Sequence, residues 1–411
     1  MKRLHLLLLL PLPLPAPAPP RAPLLLVRPV LGKAFGARPL SAGGNRLVFL
    51  GKKGRRIVLD ASAVEEILPG RPGPRPPRGP FLFLPGGESL PVEAIRSGRK
   101  GGVVPLVRGT RIGEIPLDEI AGFQWPRRPR RGMPETLKEL DPSKRPSGRD
   151  LLFLVKDKGK ILEVAVTVLG LARGGLRFQF AGKERTVPLW RVAGLLLGKA
   201  PGEERADRPR PNQSVEFERG GYLLGKIPAW DSRGIRFLHP LLGEMRFSWK
   251  DLFRLRPSLD RRRELASLEL LSDRAVPAFD RVWPLRRDRN LEGGPIRIHG
   301  TYFEKGFVFL PERSLTFPVP RGFRLFRAVL GIEDSGGGRG AAVFRIRAGG
   351  KVVFEETIRA GRDPRDVVLD LGKARTLTLQ ADFGPELDLG DHCVFARPRL
   401  LLPPPGKEDA P

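Results

Sequence analysis

Residues 174–197 read GGLRFQFAGKERTVPLWRVAGLLL, and this stretch decides the fold of the first two thirds of the chain. Its apolar and polar residues alternate with the period of two that indicates a β-strand. Gly182 marks a turn into a second strand. A brief polar turn and two hydrophobic anchors, Leu189 and Val192, follow. The stretch therefore predicts a hairpin with a short closing segment.

Three other stretches have the same pattern, at residues 43–67, 101–123 and 233–255, and the copies recur at roughly sixty-residue spacing. The last three copies each follow a further pair of strands, for example QSVEFERGGYLLGKIPAW at 213–230. Five short strands per copy are typical of a small SH3-like or Sm-like barrel, whose closure leaves no exposed sheet edge. The first copy lacks a clear preceding pair, and we interpret it as partial.

Segments rich in proline and charge separate the copies and cannot build a core, so they are interpreted as linkers. The spacing of Leu265, Leu268 and Leu271 predicts a helix. The predicted boundaries are barrel repeats 1 and 2 at 40–126, a linker at 127–149, repeat 3 at 150–199, a linker at 200–212, repeat 4 at 213–257, a helical connector at 258–272, a β-sandwich at 273–402 and a disordered tail at 403–411.

The last third of the chain has longer alternating strands, such as FRLFRAVLGIED and AAVFRIRAGGKVVFEETI, separated by glycine-rich turns. About eight such strands around one core predict a jelly-roll sandwich. The chain as a whole is therefore predicted to be all-β.

The order of motifs in this last third resembles the NPCBM family, the novel putative carbohydrate-binding module. The matching pieces are the Lys305–Gly306 turn, Phe323 to Asp334, the Gly349–Gly350 hairpin, Val367 to Leu379 and the run from Gly390 to His392. The resemblance implies a galactose-binding-like fold and a carbohydrate partner. The upstream copies are similar to small-barrel repeats of secreted bacterial proteins that carry this module.

The chain departs from the family pattern at a few positions. The family has a histidine where this chain has Leu310, and its closing motif has acidic residues and a tryptophan where this chain has Val394, Phe395 and Arg397. Because an arginine favours an anionic ligand, we expect weak binding of neutral sugars and a preference for an acidic glycan. The candidate ligand-binding residues are Asp391, His392, Phe395, Arg397, Trp283 and Tyr302.

No metal or other cofactor is predicted. Glu333, Asp334 and Asp388 would be the oxygen ligands if calcium bound, although acidic turns are common. Three tryptophans in the repeats, Trp190, Trp230 and Trp249, are predicted to be core residues.

The single cysteine, Cys393, follows Asp391 and His392 directly. Neighbours on a strand point to opposite faces, so His392 and Cys393 should diverge and Cys393 should share a face with Phe395. A thiolate nucleophile needs a base within hydrogen-bond reach. The chain is therefore predicted not to be an enzyme. A glycosidase remains an alternative and would need a pair of carboxylates in one cleft.

The net charge of +28 comes from arginines spread over every segment rather than from one basic stripe. Binding of a polyanion, either nucleic acid or acidic glycan, through basic barrels is therefore a second alternative. Nucleic acid is the less favoured of the two, because aromatic residues are not interleaved with the basic ones.

The N-terminus begins with Lys2 and Arg3, and a leucine run follows. This layout is typical of an export signal, here assigned to residues 1–22. The prediction is a non-catalytic binding or scaffolding protein of the cell envelope, located in the periplasm, at the cell surface or outside the cell. Its expected partners are a carbohydrate, an envelope surface or another protein.

Overall fold

A computed structural model of the chain describes residues 22–69, 80–98, 102–107, 110–125, 140, 145–156, 160–172, 175–199, 211–276, 283–384 and 390–404. The predicted export signal, apart from residue 22, lies outside this range, as do most of both predicted linkers and residues 405–411 of the tail. The regular structure within it consists of strands and single 3₁₀ turns. The all-β prediction is confirmed.

Unit 1 spans residues 25–68. Its strands are β1 (Leu25–Pro29), β2 (Phe35–Gly43), β3 (Arg46–Leu50), β4 (Arg56–Asp60) and β5 (Val64–Leu68). β1 pairs with both β2 and β5, while β2, β3 and β4 pair in order. The prediction of a partial first repeat is therefore wrong. Pro29 and Pro39 interrupt the apolar–polar alternation of β1 and β2, so the sequence contains no clear periodic signal for this strand pair.

Unit 2 spans residues 81–124 and is more irregular. Its strands are β6 (Phe81–Phe83), β7 (Ser89–Pro91), β8 (Ala94–Ser97), β9 (Val103–Val107), β10 (Thr110–Arg111) and β11 (Gly122–Gln124). β6 pairs with β7 and β11, whereas β8, β9 and β10 form a separate small sheet. The 3₁₀ turn Leu117–Glu119 precedes the last strand.

Units 3 and 4 have one strand order in common. Unit 3 (residues 150–196) contains β12 (Asp150–Val155), β13 (Ile161–Ala172), β14 (Gly175–Phe180), β15 (Lys183–Val187) and β16 (Val192–Leu196). Unit 4 (residues 213–256) contains β17 (Gln213–Phe217), β18 (Tyr222–Trp230), β19 (Gly234–His239), β20 (Gly243–Ser248) and β21 (Leu252–Arg256). In both, the first strand pairs with the second and the fifth, and the second to fourth pair in order.

The last strands join the units in two pairs, unit 2 with unit 3 and unit 1 with unit 4, and the pairing of β7 with β18 connects unit 2 with unit 4. β11 pairs with β16, and β5 meets β21 at Ile67 and Leu255. A single hydrophobic core runs through all four units. Within it, Trp230 and Trp249 are buried as predicted, but Trp190 is 77% exposed. Trp190 lies in the turn Leu189–Arg191, where Leu189 instead packs against the core.

Part of the predicted linker 127–149 is packed against the units. Leu140 is buried beside Phe81, Phe83 and Phe153. Arg145 is also buried, and its Nε donates to the carbonyl of Leu197 at 2.7 Å. The prediction that this segment contributes nothing to a core is therefore wrong for these residues, since a single leucine in a proline-rich stretch leaves no periodic signal.

The C-terminal part is a two-sheet sandwich. Its strands are β22 (Arg262–Glu264), β23 (Ser272–Ala275), β24 (Arg286–Arg287), β25 (Ile296–Ile298), β26 (Thr301–Phe303), β27 (Gly306–Phe309), β28 (Arg313–Pro318), β29 (Leu325–Ile332), β30 (Ala341–Ala348), β31 (Lys351–Arg359), β32 (Arg365–Asp370), β33 (Thr376–Phe383) and β34 (Cys393–Leu401). One sheet has the order β24-β27-β34-β29-β32, with β22 also paired to β34, and the other has the order β23-β28-β33-β30-β31. Phe307, Phe317, Phe344 and Phe395 pack between them.

The predicted helical connector at 258–272 is wrong. Residues of this segment form β22, the 3₁₀ turn Leu265–Ser267 and the start of β23. Leu265 is buried in the sandwich core whereas Leu271 is exposed, so the three leucines do not share one face. The backbone of β22 is satisfied by β34, and this tertiary pairing overrides the local helical spacing.

In the part of the chain that the structure describes, no helix has the length and hydrophobicity needed to span a membrane.

Candidate functional site

The Asp391–His392–Cys393 run lies at the start of β34. Cys393 and Phe395 face the core between the two sheets, and Val394 packs on the opposite face beside Ile296 and Ile298. The predicted alternation is therefore confirmed. Burial, with the nearby Asp391 carboxylate, raises the pKa of the Cys393 thiol well above its usual range. Cys393 is a protonated, buried thiol and is unsuited to nucleophilic attack.

His392 is half-buried and joins two loops. Its Nδ1 lies 3.2 Å from Oγ of Ser335, and its carbonyl oxygen accepts a hydrogen bond from the amide of Glu333 at 2.8 Å. Burial lowers the pKa of His392, against the smaller raising effects of Glu333 and Glu292. The neutral imidazole therefore serves here as a hydrogen-bonding link between loops.

The two described calcium candidates are occupied by N–H donors. Glu333 is buried and accepts hydrogen bonds from the amides of Arg297 and Ser335 at 3.2 and 2.8 Å. Asp334 accepts from the amides of His299 and Gly300 at 2.7 and 2.8 Å. Both carboxylates thus fasten the β25–β26 hairpin to the loop after β29. The third candidate, Asp388, lies outside the described residues.

Two predicted aromatic ligands take different positions. Phe395 is fully buried and stacks on Phe309 with ring centroids 5.7 Å apart. It cannot present a face to a sugar, and this part of the prediction is wrong. Trp283 is half-buried, and its carbonyl oxygen accepts a hydrogen bond from Nη1 of Arg313 at 2.6 Å.

Arg397 contacts unit 1 rather than the loops around His392. Its backbone is in the left-handed region, with φ 49°, at a bulge where the pairing of β34 with β29 shifts register. A bulge redirects the side chain it carries. Nη2 of Arg397 lies 2.5 Å from Oε2 of Glu66 on β5.

Glu66 and its neighbour Glu65 anchor a buried ionic network between the sandwich and the units. Glu66 also contacts Arg28 and lies 3.3 Å from Nε of Arg254. Burial acts to raise the pKa of Glu66, but Arg397, Arg28 and Arg254 outweigh it and hold that pKa well below its usual range. The carboxylate of Glu66 is therefore ionised in the folded protein.

Glu65 makes the second half of this network, directly with the sandwich. Its side chain contacts Nε of Arg399, and its Oε2 lies 3.2 Å from Nη1 of Arg327. Arg327 is itself held by Asp366 at 2.6 Å. Burial raises the pKa of Glu65, and the stronger attraction of Arg399 and Arg327 leaves it below its usual value. The sandwich thus docks on unit 1 through ion pairs whose central members are almost wholly removed from water, namely Glu65, Glu66, Arg327 and Arg399.

A cleft of about 1020 Å³ opens beside this network, between the sandwich and units 1, 2 and 4. We call it the arginine cleft. Its basic lining residues are Arg28, Arg254, Arg256, Arg262, Lys305 and Arg397, and its acidic ones are Glu216, Glu264, Glu304 and Asp366. Of the predicted site residues, Tyr302 and Arg397 line it together, whereas Asp391, His392, Phe395 and Trp283 do not.

The sandwich is the part of the chain that matches a known family. Residues 267–401 match the model of the NPCBM/NEW2 domain. The resemblance predicted for the C-terminal third is confirmed, and we call this part the NPCBM module. A search of curated proteins found no match.

Solved structures similar to the chain include carbohydrate-binding modules of Clostridium perfringens. The CBM51-2 and INT domains of ZmpB are 18% identical, cover 34% of this chain and 32% of their own, and give a TM-score of 0.31. CBM51 of GH95 in complex with methyl-galactose is 16% identical, covers 34% of this chain and 99% of its own, and gives a TM-score of 0.31. This chain thus spans about a third of the ZmpB fragment.

Sequence reasoning missed the charged residues of the docking surface, although the repeats contain a signal for them. Unit 1 has Glu65 and Glu66 on its last strand, where unit 3 has Ala193 and Gly194. Unit 4 has Arg254 at the matching place. Charges thus replace small residues in units 1 and 4, whose last strands form ion pairs with the NPCBM module, and this replacement identifies the docking surface.

Proposed function

We propose that this chain is a non-catalytic, exported protein of the cell envelope that binds carbohydrate. The observation that carries the proposal is that a module matching the NPCBM/NEW2 domain forms one wall of a large cleft whose lining includes charged side chains and Tyr302. Sites for small ligands are concave and combine aromatic surface with a few fixed polar groups. The arginine cleft has both.

The polar groups of the cleft are held in place before any ligand arrives. Nη1 of Arg254 lies 2.8 Å from Oε2 of Glu216 and 3.4 Å from Oε2 of Glu304. Arg256 also pairs with Glu216. Side chains fixed by such pairs lose little freedom on binding, which favours affinity.

The same contacts argue against the glycosidase alternative. Glu216 and Glu304 are two carboxylates in one cleft, as a glycosidase requires. However, Nη1 of Arg254 bridges them, so that both carboxylates are engaged in ion pairs with the same guanidinium. Together with the buried thiol of Cys393, this supports a binding role.

Export is supported by the sequence of the first residues, where Lys2 and Arg3 precede a leucine run. Fractionation of producing cells should find the protein in the periplasm, at the cell surface or in the medium. Recovery of the full-length chain, with Met1 intact, from the cytosol alone would contradict the proposal of export.

A glycan array probed with the full-length protein tests the binding function. We expect retention of at least one class of oligosaccharide, with no shortening of that oligosaccharide after prolonged incubation. If no saccharide is retained, the carbohydrate-binding proposal is wrong. If the retained saccharide is cleaved, the non-catalytic part is wrong.

A further inference from the structure

The arginine cleft has a surplus of positive charge. Six basic and four acidic side chains line it. The excess of basic over acidic side chains is therefore two. It stays at two when the buried Glu65 and Glu66 and their partners Arg327 and Arg399 are added, since the counts become eight basic and six acidic groups. Charges in a cleft with low-dielectric walls act more strongly than on an open surface. The cleft therefore attracts anions.

Three arginines of the cleft each have one nitrogen without a hydrogen-bond acceptor in the described part of the chain, although another nitrogen of each pairs with a glutamate. Among the described residues, Nε of Arg28, Nε of Arg256 and Nη1 of Arg262 are buried without a partner. Buried donors of this kind are costly when unsatisfied. Arg262 pairs with Glu264 through its other terminal nitrogen, so its guanidinium is only partly compensated.

The electrostatic surroundings of these arginines also favour a bound anion. Burial lowers the pKa of Arg262 well below its usual range, and the charges of Arg256 and Arg399 lower it further. Burial also lowers the pKa of Arg256, against the opposing effect of Glu216. An anion placed beside the pair would relieve both effects.

A flat aromatic group lies in the same cleft. Tyr302 is half-buried on β26, next to Glu304 and Lys305. Burial raises the pKa of Tyr302, so its phenol is neutral and can donate a hydrogen bond. The volume of about 1020 Å³ is just above the range of small-molecule sites, roughly 300–1,000 Å³, and is large enough for an oligosaccharide.

We propose that the arginine cleft binds an acidic saccharide, with a carboxylate or sulfate group beside Arg256 and Arg262 and a sugar ring against Tyr302. This inference rests on the proposed carbohydrate-binding function and adds the ligand class and the position. The site is composite, because Arg256 belongs to unit 4 and Tyr302 to the NPCBM module.

Calorimetry on the full-length protein tests the inference. The ligands are trigalacturonate, its neutral methyl ester, a sialylated and a sulfated oligosaccharide. We expect one of the acidic ligands to bind at least about tenfold more tightly than the neutral ester, because charge-assisted hydrogen bonds to a ligand are strong. Arg262→Gln and Tyr302→Ala should each weaken that binding roughly tenfold, whereas Arg262→Lys should keep part of it. Arg236→Gln, which removes an equal charge from an exposed pair outside the cleft, is the matched control.

The outcomes separate this inference from the proposed function. Neutral and acidic saccharides that bind equally, with no effect of Arg262→Gln, would overturn the inference and leave carbohydrate binding intact. Acidic binding that falls as much with Arg236→Gln as with Arg262→Gln would show diffuse attraction to a basic protein, and would also overturn it. If no saccharide binds, the proposed function is itself wrong. If Arg262→Gln does not fold, Tyr302→Ala decides.

Discussion

Glu66 and Arg397 are 331 residues apart in the chain, and their side chains meet at 2.5 Å. The contact joins the last strand of unit 1 to the closing strand of the NPCBM module. A bulge in β34 directs Arg397 towards unit 1, and its role is to pair with the buried glutamate. The position of Arg397 is thus explained by docking between parts of one chain.

Glu66→Gln should destabilise the protein by about 3–5 kcal/mol, because it leaves several arginines buried without their shared carboxylate. Urea unfolding followed by tryptophan fluorescence measures the change. Glu184→Gln is the control, since Glu184 forms an exposed pair with Arg177 and its removal should change little. Equal effects of the two substitutions would contradict the buried network.

Acid should weaken the docking of the NPCBM module. The folded pKa values of Glu65 and Glu66 are lower than those of an unfolded chain, about 4.3. Their contribution to stability is therefore fully present above about pH 4.3 and is lost as the pH falls through the lower folded values. Unfolding free energy measured from pH 7 to pH 3 should fall in that acid range, and the fall should be smaller in a Glu65→Gln/Glu66→Gln variant. An identical acid dependence in both proteins would exclude these two groups as its cause.

Cys393 should be unreactive in the folded protein, since its thiol is buried and its pKa is raised. A thiol reagent such as Ellman's should react only after addition of denaturant. Fast reaction of the native protein would contradict the buried position, and would reopen the question of a nucleophilic cysteine.

Two tryptophans at the turns before the last strands should differ sharply. Trp249 is 3% exposed and its Nε1 donates to the carbonyl of Asp231 at 2.8 Å, whereas Trp190 is 77% exposed. Trp249→Ala should cost about 3–5 kcal/mol of unfolding free energy. Trp190→Ala should lower the unfolding free energy far less. Equal losses in the two variants would show that Trp190 is packed against the protein.

A matched pair of glycines tests the common strand order of units 3 and 4. Gly175 begins β14 and Gly234 begins β19, and at each a Cβ would overlap a carbonyl oxygen of the next strand, that of Val187 or Phe247. Alanine at either position should destabilise the protein by about 1–3 kcal/mol or more. Gly113→Ala, with open space around the added Cβ, is the control. Tolerance of alanine at Gly175 or Gly234 would contradict the close strand approach.

The sequence predicted the parts of the fold whose signals are local and periodic. Alternation in the stretch that became β14, together with the glycine turns, was sufficient for the strands of units 3 and 4. Prediction from sequence patterns was wrong where pairing with a distant strand determines the secondary structure, as near Leu265. It was also wrong where a proline interrupts the apolar–polar alternation, as at Pro29.

The candidate site was predicted less well than the fold. Of the candidate ligand-binding residues, Tyr302 and Arg397 line the arginine cleft, whereas Phe395 is part of the core. Arg256 and Arg262 were missed because the cleft forms between units that are far apart in the chain. Spatial proximity between such units cannot be read from a single sequence.

A crystal structure of the full-length protein with a bound acidic oligosaccharide tests the central claim most directly. The account predicts that the anionic group lies within hydrogen-bond distance of Arg256 or Arg262, with a sugar ring against Tyr302. A saccharide bound instead at the loops around His392 and Ser335, with the arginine cleft empty, would contradict it.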